Sequence, residues 1–340
     1  MSQIESLPEA PTPSQQTAAA ALTPHRRSRA VPRVLNNIVW MLLVLFALVG
    51  YLLNPFFFSI ANMQNILVQA TTLGFLAVGI SFTLLIGEID LSVVGVLGFS
   101  GSIGAVAVNA GLPPFLCILL VIAMGGVLGL VNGLCVAKLG MNSLITTLAV
   151  GLTLTGAVLA ITRGTTITIA QPGYTFIGTQ SIGGWPIMPV ALILLFVIVT
   201  VLLNRSRWGR SIYATGGNER AAFAAGVRTT RVRTSAFVVS GLLAGCAGWV
   251  STAYLSGVNS TIGSEVLLYA IAAPVIGGVS LTGGVGKVTG ILGGILLITI
   301  VQVGLQLSSV SAYYVSMAGG AMIFVAVLID VLRVRTLKRR

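Results

Sequence analysis

The chain has 340 residues, of which 56% are hydrophobic and only 8% are charged. Soluble domains carry about 25% charged residues, so this composition excludes a soluble fold with a polar shell. The three cysteines lie in apolar stretches without metal-ligand spacing, and the single histidine, His25, lies in a polar segment, so neither a metal site nor a catalytic residue is predicted. The sequence therefore indicates an all-α polytopic membrane protein.

The N-terminal segment 1–35 is rich in Pro, Ala, Thr, Ser and Gln and ends in a cluster of arginines. This composition predicts a disordered basic tail. A signal peptide is the alternative, but the following apolar run lacks a small-x-small cleavage site before Asn54. A retained first membrane helix is therefore expected.

A helix needs about 20 apolar residues to cross the hydrocarbon core of a bilayer. Apolar runs and polar interruptions divide a transmembrane domain at 36–332 into ten predicted spans: 36–53, 64–86, 91–109, 115–137, 142–162, 188–203, 233–254, 265–281, 288–306 and 312–332. Glycine-rich interruptions make the third, eighth and ninth spans candidates for broken helices.

The basic residues predict the orientation of these spans. With segment 1–35 on the inside, ten crossings place 18 of the 19 basic residues, all except Arg163, on the cytoplasmic side. The large loop 204–233 and the basic tail 333–340 then lie inside, and the loop 163–188 lies outside, where Tyr174 and Trp185 suit the interface. We therefore attribute the net charge of +12 to basic residues on the cytoplasmic side of the membrane and not to a nucleic-acid-binding surface. Five spans on each side of the outer loop suggest two inverted halves.

Small residues recur every four positions in several spans, a spacing that stacks them on one helix face and permits close helix packing. The repeats lie at Gly125, Gly129 and Gly133, at Gly241 and Gly245, and at Gly290 and Gly294.

Charged residues within the spans are what ion-coupled transporters use, and this chain has almost none. The carboxylates outside segment 1–35 and the loop 204–233 fall at predicted span ends: Glu88, Asp90, Glu265 and Asp330. Asp90 is expected to cap a helix start or to act in gating, not to carry protons. A secondary transporter of a small polar solute remains the alternative function, and an intramembrane enzyme is disfavoured because no catalytic constellation is present.

The segment Gly283–Lys287 superficially resembles a phosphate-binding loop. Leu281 stands where that motif requires Gly, and Val288 stands where it requires Ser or Thr. We expect a flexible inner turn here, and any ATPase would be a separate chain.

The loop 204–233 contains signals for a short cytoplasmic helix. Asn218 is a good N-cap, Glu219 suits the positive first turn, four alanines favour helix, and Gly226 ends it. Such a helix either binds a partner or lies on the membrane surface.

Four segments, taken together, resemble ribose-type ABC importer permeases. Residues 209–227 resemble the coupling loop of that family, residues 87–93 its Gly-x-Ile-Asp-Leu-Ser-Val signature, residues 276–286 its Gly-rich signature, and residues 58–67 the start of its second span. The sequence departs from the pattern at Glu88, where relatives often have Gly, and at Val94.

The resemblance implies a permease subunit that performs no covalent chemistry and lies in the bacterial inner membrane. It implies a separate ABC ATPase holding ATP and Mg, an extracytoplasmic solute-binding protein, a second permease copy or close paralogue, and surrounding membrane lipid. The solute would be small and polar, such as a pentose or hexose. Implied residues of the ATPase-coupling helix are Gly217, Asn218, Glu219, Arg220, Ala221, Ala222, Phe223 and Gly226, and those of the signature or gate are Gly87, Glu88, Asp90, Ser92, Gly277, Gly278, Gly283, Gly284 and Gly286.

Polar residues inside the apolar spans are candidates for the solute pathway, or they bond one helix to another. They are Gln69, Thr72, Asn132, Thr146, Thr147, Gln302 and Gln306.

Overall fold

The apolar runs form helices, because backbone N–H and C=O groups in hydrocarbon must find partners within the chain. The computed structural model describes residues 30–264, 266–308, 310–311, 313–315, 317–322, 324 and 328. Its helices are α1 (Ala30–Leu53), α2 (Ile60–Leu85), α3 (Val93–Asn109), α4 (Pro114–Ala137), α5 (Ser143–Thr162), α6 (Pro172–Thr179), α7 (Met188–Arg205), α8 (Arg207–Gly217), α9 (Glu219–Ala224), α10 (Thr229–Leu255), α11 (Val266–Ile276) and α12 (Val288–Leu307). A short 3-10 helix covers Pro55–Phe58, and four two-residue strands are β1 (Ile167–Thr168), β2 (Ser181–Ile182), β3 (Trp185–Pro186) and β4 (Gly257–Val258).

Each of the first nine predicted spans coincides with a helix. Within the described residues, six helices (α2, α4, α5, α7, α10 and α12) are long and apolar enough to cross a membrane, and three shorter apolar helices accompany them. The eighth span is shorter than predicted, because α11 ends at Ile276 and the backbone turns at Gly278. The tenth span falls largely outside the described residues. The total of ten crossings therefore stays a prediction.

Two long helices, α2 and α10, pack against each other and against most of their neighbours. The glycine repeats account for the close contact between α10 and α4. A Cβ added to Gly125 would lie 2.2 Å from the Gly241 carbonyl oxygen, and one added to Gly129 would lie 2.3 Å from the Phe237 carbonyl oxygen. Backbones of α4 and α10 can meet this closely only without side chains between them, as the four-residue spacing predicts.

The predicted outer loop, 163–188, contains ordered structure that the apolar pattern does not indicate. Strand β1 pairs antiparallel with β4, and β2 with β3 forms a hairpin. Tyr174 is fully buried in α6, and Trp249 donates a hydrogen bond of 3.0 Å to its carbonyl oxygen. Tyr174 is therefore packed inside the protein and not on its surface, whereas Trp185 is exposed.

The segment 204–233 is helical over most of its length and is not an open loop. The Ser206 hydroxyl caps α8 by accepting a hydrogen bond from the Gly209 N–H at 2.8 Å. Ile212 and Thr215 are buried on one face of α8. This face attaches α8 to the ends of the long helices.

Candidate functional site

Helix α9 is built locally as the sequence predicts. The Asn218 side-chain oxygen accepts a hydrogen bond from the Ala221 N–H at 3.0 Å, which caps the first turn. Gly226 follows the last turn with φ +85°, a left-handed conformation that favours glycine. Ala222 lies on the buried face of α9, whereas the side chain of Phe223 is 70% exposed.

Three backbone segments meet at what we call the glycine junction, formed by Gly87, Gly216, Gly283 and Gly284. The Gly284 N–H donates to the Leu85 carbonyl oxygen at 2.9 Å. A Cβ at Gly216 would lie 1.8 Å from that same oxygen, and one at Gly283 would lie 2.8 Å from the Gly87 nitrogen. The first signature loop (residues 87–93), the second signature loop (residues 277–287) and the end of α8 are therefore in backbone contact, which leaves no room for side chains.

Side chains of α8 add further attachments beside the glycine junction. Tyr213 donates a hydrogen bond of 3.1 Å to the Gly286 carbonyl oxygen, and Trp208 donates one of 2.7 Å to the Ser235 hydroxyl on α10. Burial raises the pKa of the Tyr213 phenol, so this group stays protonated as a donor. Helix α8 is thus held to the second signature loop and to α10.

The second signature loop, 277–287, is not the flexible turn expected from the sequence. The Ser280 N–H donates to the Val285 carbonyl oxygen at 2.9 Å, which closes the loop on itself. Gly277 packs where α11 meets α12, since a Cβ there would lie 2.2 Å from the Gly290 carbonyl oxygen. Gly284 and Gly286 are also hydrogen-bonded to α2 and α8, so the loop is held by contacts on several sides.

A salt-bridge network crosses from α9 to the first signature loop. Arg233, in the second turn of α10, pairs through Nη2 with Glu88. Its Nη1 lies 3.3 Å from Glu219 Oε1 in the first turn of α9. The sequence predicted Glu88 and Glu219 as site residues but not the arginine that joins them.

Asp90 and its neighbours form a buried hydrogen-bond cluster. The Asp90 carboxylate accepts hydrogen bonds from the Ser92 N–H at 3.0 Å and the Ser92 hydroxyl at 2.6 Å, and from the Ser240 hydroxyl at 2.8 Å. Asn132 donates to the Ser92 hydroxyl at 2.8 Å, and Thr147 accepts from the Leu91 N–H at 3.0 Å. This cluster fixes the first signature loop against α4, α5 and α10.

A cavity of about 270 Å³ lies between α2, α10, α11 and α12. Its lining includes four of the predicted pathway residues: Gln69, Thr72, Gln302 and Gln306. Within the described part of the chain, the side chains of Thr72, Gln302 and Gln306 make no hydrogen bond, whereas Gln69 donates one to Asn65. The volume of about 270 Å³ lies just below the range of about 300–1,000 Å³ that is usual for small-molecule sites.

Asn132, Thr146 and Thr147 do not line this cavity. Asn132 and Thr147 belong to the Asp90 cluster, and Thr146 donates to the Asn142 carbonyl oxygen of its own helix at 2.8 Å. The cavity also contains residues that sequence reasoning missed: Ser251, Tyr254 and Tyr269.

The cavity and the glycine junction lie at different depths along α2. Thirteen residues separate Thr72 from Leu85, which is about 20 Å at 1.5 Å per residue. The described residues bring no three His, Cys, Asp or Glu side chains together as a metal site. A cavity with several polar lining residues inside an apolar helix bundle is the arrangement of a membrane permease.

Comparisons with known proteins give the family. Residues 62–327 match the family described as branched-chain amino acid transport system / permease component. The chain is 39% identical to the ribose import permease protein RbsC of Haemophilus influenzae over 85% of this chain and 90% of that protein. It is 35% identical to the L-arabinose ABC transporter permease protein AraH of Azospirillum brasilense, over 92% of each chain.

A solved structure supports the fold. The inward-facing conformation of a putative metal-chelate type ABC transporter aligns with a TM-score of 0.52 and 17% identity, covering 87% of this chain and 99% of that one. The chain belongs to the branched-chain amino acid transport system / permease component family. It is the membrane-spanning permease subunit of an ABC importer and resides in the cytoplasmic membrane, as the resemblance in its motifs predicted.

Proposed function

We propose that this permease imports a monosaccharide, using ATP and Mg held by a separate ABC ATPase that docks on α9. The observation that carries the proposal is the placement of the coupling segment. Helix α8 contacts the signature loops at the glycine junction, α9 is linked to the first of these loops through Arg233, and the Phe223 side chain on α9 is 70% exposed. A large apolar side chain on a short capped helix is the kind of anchor that fits a groove in a partner protein.

The solute class follows from the cavity and from the relatives. Three glutamines and a threonine supply amide and hydroxyl groups, which donate and accept hydrogen bonds without carrying charge. Hydroxyl-rich neutral molecules match such groups. The named relatives include permeases for ribose and L-arabinose and the D-allose permease protein AlsC of Escherichia coli, which is 33% identical.

The full assembly would contain a second permease copy and an extracytoplasmic solute-binding protein within membrane lipid. We propose ten spans with both termini, 1–35 and 333–340, in the cytoplasm. Two five-span halves are supported by a repeated pattern, since each long central helix, α2 or α10, precedes a short apolar one, α3 or α11. The coupling segment 204–233 then faces the cytoplasm, where an ATPase can reach it.

Uptake into liposomes tests the proposal. The permease is co-expressed with its ATPase and binding protein, reconstituted, and supplied with radiolabelled ribose, L-arabinose or D-allose. We expect uptake of at least one sugar that requires ATP inside the liposomes and the ATPase in the complex. Uptake driven by a proton gradient through the permease alone would support the secondary-transporter alternative and contradict the proposal.

A further inference from the structure

Arg233 joins two carboxylates that are distant in the sequence. Glu88 precedes it by 145 residues and lies in the first signature loop, whereas Glu219 precedes it by 14 residues and opens α9. The described residues contain three carboxylates, Glu88, Asp90 and Glu219, and two of these three pair with Arg233. No other ion pair occurs within the described residues.

The same face of α10 holds the first signature loop at a second point. Ser240 lies seven residues, or two helical turns, after Arg233 and therefore on the same side of the helix. Its hydroxyl donates to Asp90 at 2.8 Å. Helix α10 thus binds the loop at two points, Arg233 to Glu88 and Ser240 to Asp90. Of these two α10 side chains, only Arg233 also binds α9.

The two ion pairs differ in their surroundings. The Arg233 and Glu88 side chains are 19% and 16% exposed, whereas Glu219 is 47% exposed. Water and salt screen an exposed pair more than a half-buried one. The pair with Glu88 is therefore the less screened of the two, and the pair with Glu219 is the contact through which a displacement of α9 reaches Arg233.

We propose that Arg233 is a positioning residue that transmits displacement of α9 to the first signature loop. The inference rests on the proposed function, because it requires an ATPase that moves α9. At the glycine junction, α8 meets α2 by backbone contact at Gly216, and such a contact transmits a push but not a pull. The arginine adds a tensile link, since an ion pair resists separation as well as approach.

The test measures coupling in the reconstituted complex as solute molecules imported per ATP hydrolysed. Arg233→Gln and Glu88→Gln each remove the pair between Arg233 and Glu88, and Arg233→Lys keeps the charge. The matched control is Arg231→Gln, because Arg231 is exposed on the same helix and makes no salt bridge within the described residues. Assembly of the complex and its ATP hydrolysis are measured on the same preparations.

We expect Arg233→Gln to lower the coupling ratio by about fivefold or more, the size of a typical coupling between sites. ATP hydrolysis and assembly should be retained, Arg233→Lys should recover part of the ratio, and Arg231→Gln should match the wild type. Because both residues act through one contact, the double variant Arg233→Gln/Glu88→Gln should be no worse than the more severe single variant.

A wild-type coupling ratio in Arg233→Gln and in Glu88→Gln would overturn the inference. So would effects of the two substitutions that simply multiply, because they would then act independently. These outcomes differ from failure of the proposed function, in which the unaltered complex itself would show no ATP-driven uptake of the sugars.

Discussion

One methyl group added at Gly216 should separate α8 from the glycine junction. A Cβ at this position would lie 1.8 Å from the Leu85 carbonyl oxygen and 2.7 Å from the Gly284 nitrogen. These two atoms form the hydrogen bond that holds the end of α2 to the second signature loop. Ordinary contact begins at 3.4 Å, so the oxygen would have to move by 3.4 − 1.8, or about 1.6 Å.

The free energy of this change can be estimated from its parts. Overpacking costs about 1–3 kcal/mol, and the lost backbone hydrogen bond costs about 1 kcal/mol more. Replacement of Gly by Ala stabilises a helix by at most about 1 kcal/mol, which offsets part of this cost. We therefore expect Gly216→Ala to lower the free energy of unfolding by about 1–3 kcal/mol and to reduce transport.

The matched control is Gly217→Ala, one residue further along α8. A Cβ there would meet no atom within 4 Å, and its backbone is not in the left-handed region. Thermal unfolding of the purified permease can be followed by tryptophan fluorescence, since the Trp208 ring in α8 lies 5.4 Å from that of Phe82. Equal melting temperatures and equal transport for the two variants would refute the reasoning.

Three further predictions concern the turn after α9, the buried carboxylate and the topology. Gly226→Val should impair coupling because φ +85° is strained for a β-branched residue, whereas Gly226→Asn, which tolerates that region, should retain it; assays of ATP hydrolysis and uptake decide. Asp90→Asn should retain appreciable transport because Asn can keep the bonds to its serine partners. Burial raises the pKa of this carboxyl, so a pH dependence of uptake abolished by Asp90→Asn alone would instead indicate proton coupling. Cysteines placed at the exposed positions 180 and 220 should be labelled in intact cells at 180 only, and the reverse pattern would end the proposed orientation.

The boundaries of the spans could be predicted because they depend on local composition. The limits of α4, α5 and α7 differ from the predicted spans by at most two residues. Helix α8 was missed because its arginines and glycines look like a loop. A signal was present, since Trp208, Ile212 and Thr215 recur at helical spacing and line one face.

The arrangement of the site was less accessible to sequence reasoning. Gln302 and Gln306 are four residues apart and necessarily share a face, but only packing places that face toward α2. Asn132 and Thr147 carry the same chemistry as the cavity residues, yet they bond to the Asp90 loop. The glycine junction depends on three segments distant in the sequence, and no local pattern encodes such contacts.

The exposed Phe223 provides the most direct test of the central claim that α9 couples this permease to an ATPase. Phe223→Asp changes only a 70% exposed side chain, so the permease should fold and insert normally. Phe223→Leu, which keeps an apolar anchor, is the control. In purified complexes reconstituted into liposomes, we expect Phe223→Asp to lose ATPase association or to hydrolyse ATP without uptake, and Phe223→Leu to retain both. Full ATPase association together with full transport in Phe223→Asp would contradict the account, because the partner would then engage another surface.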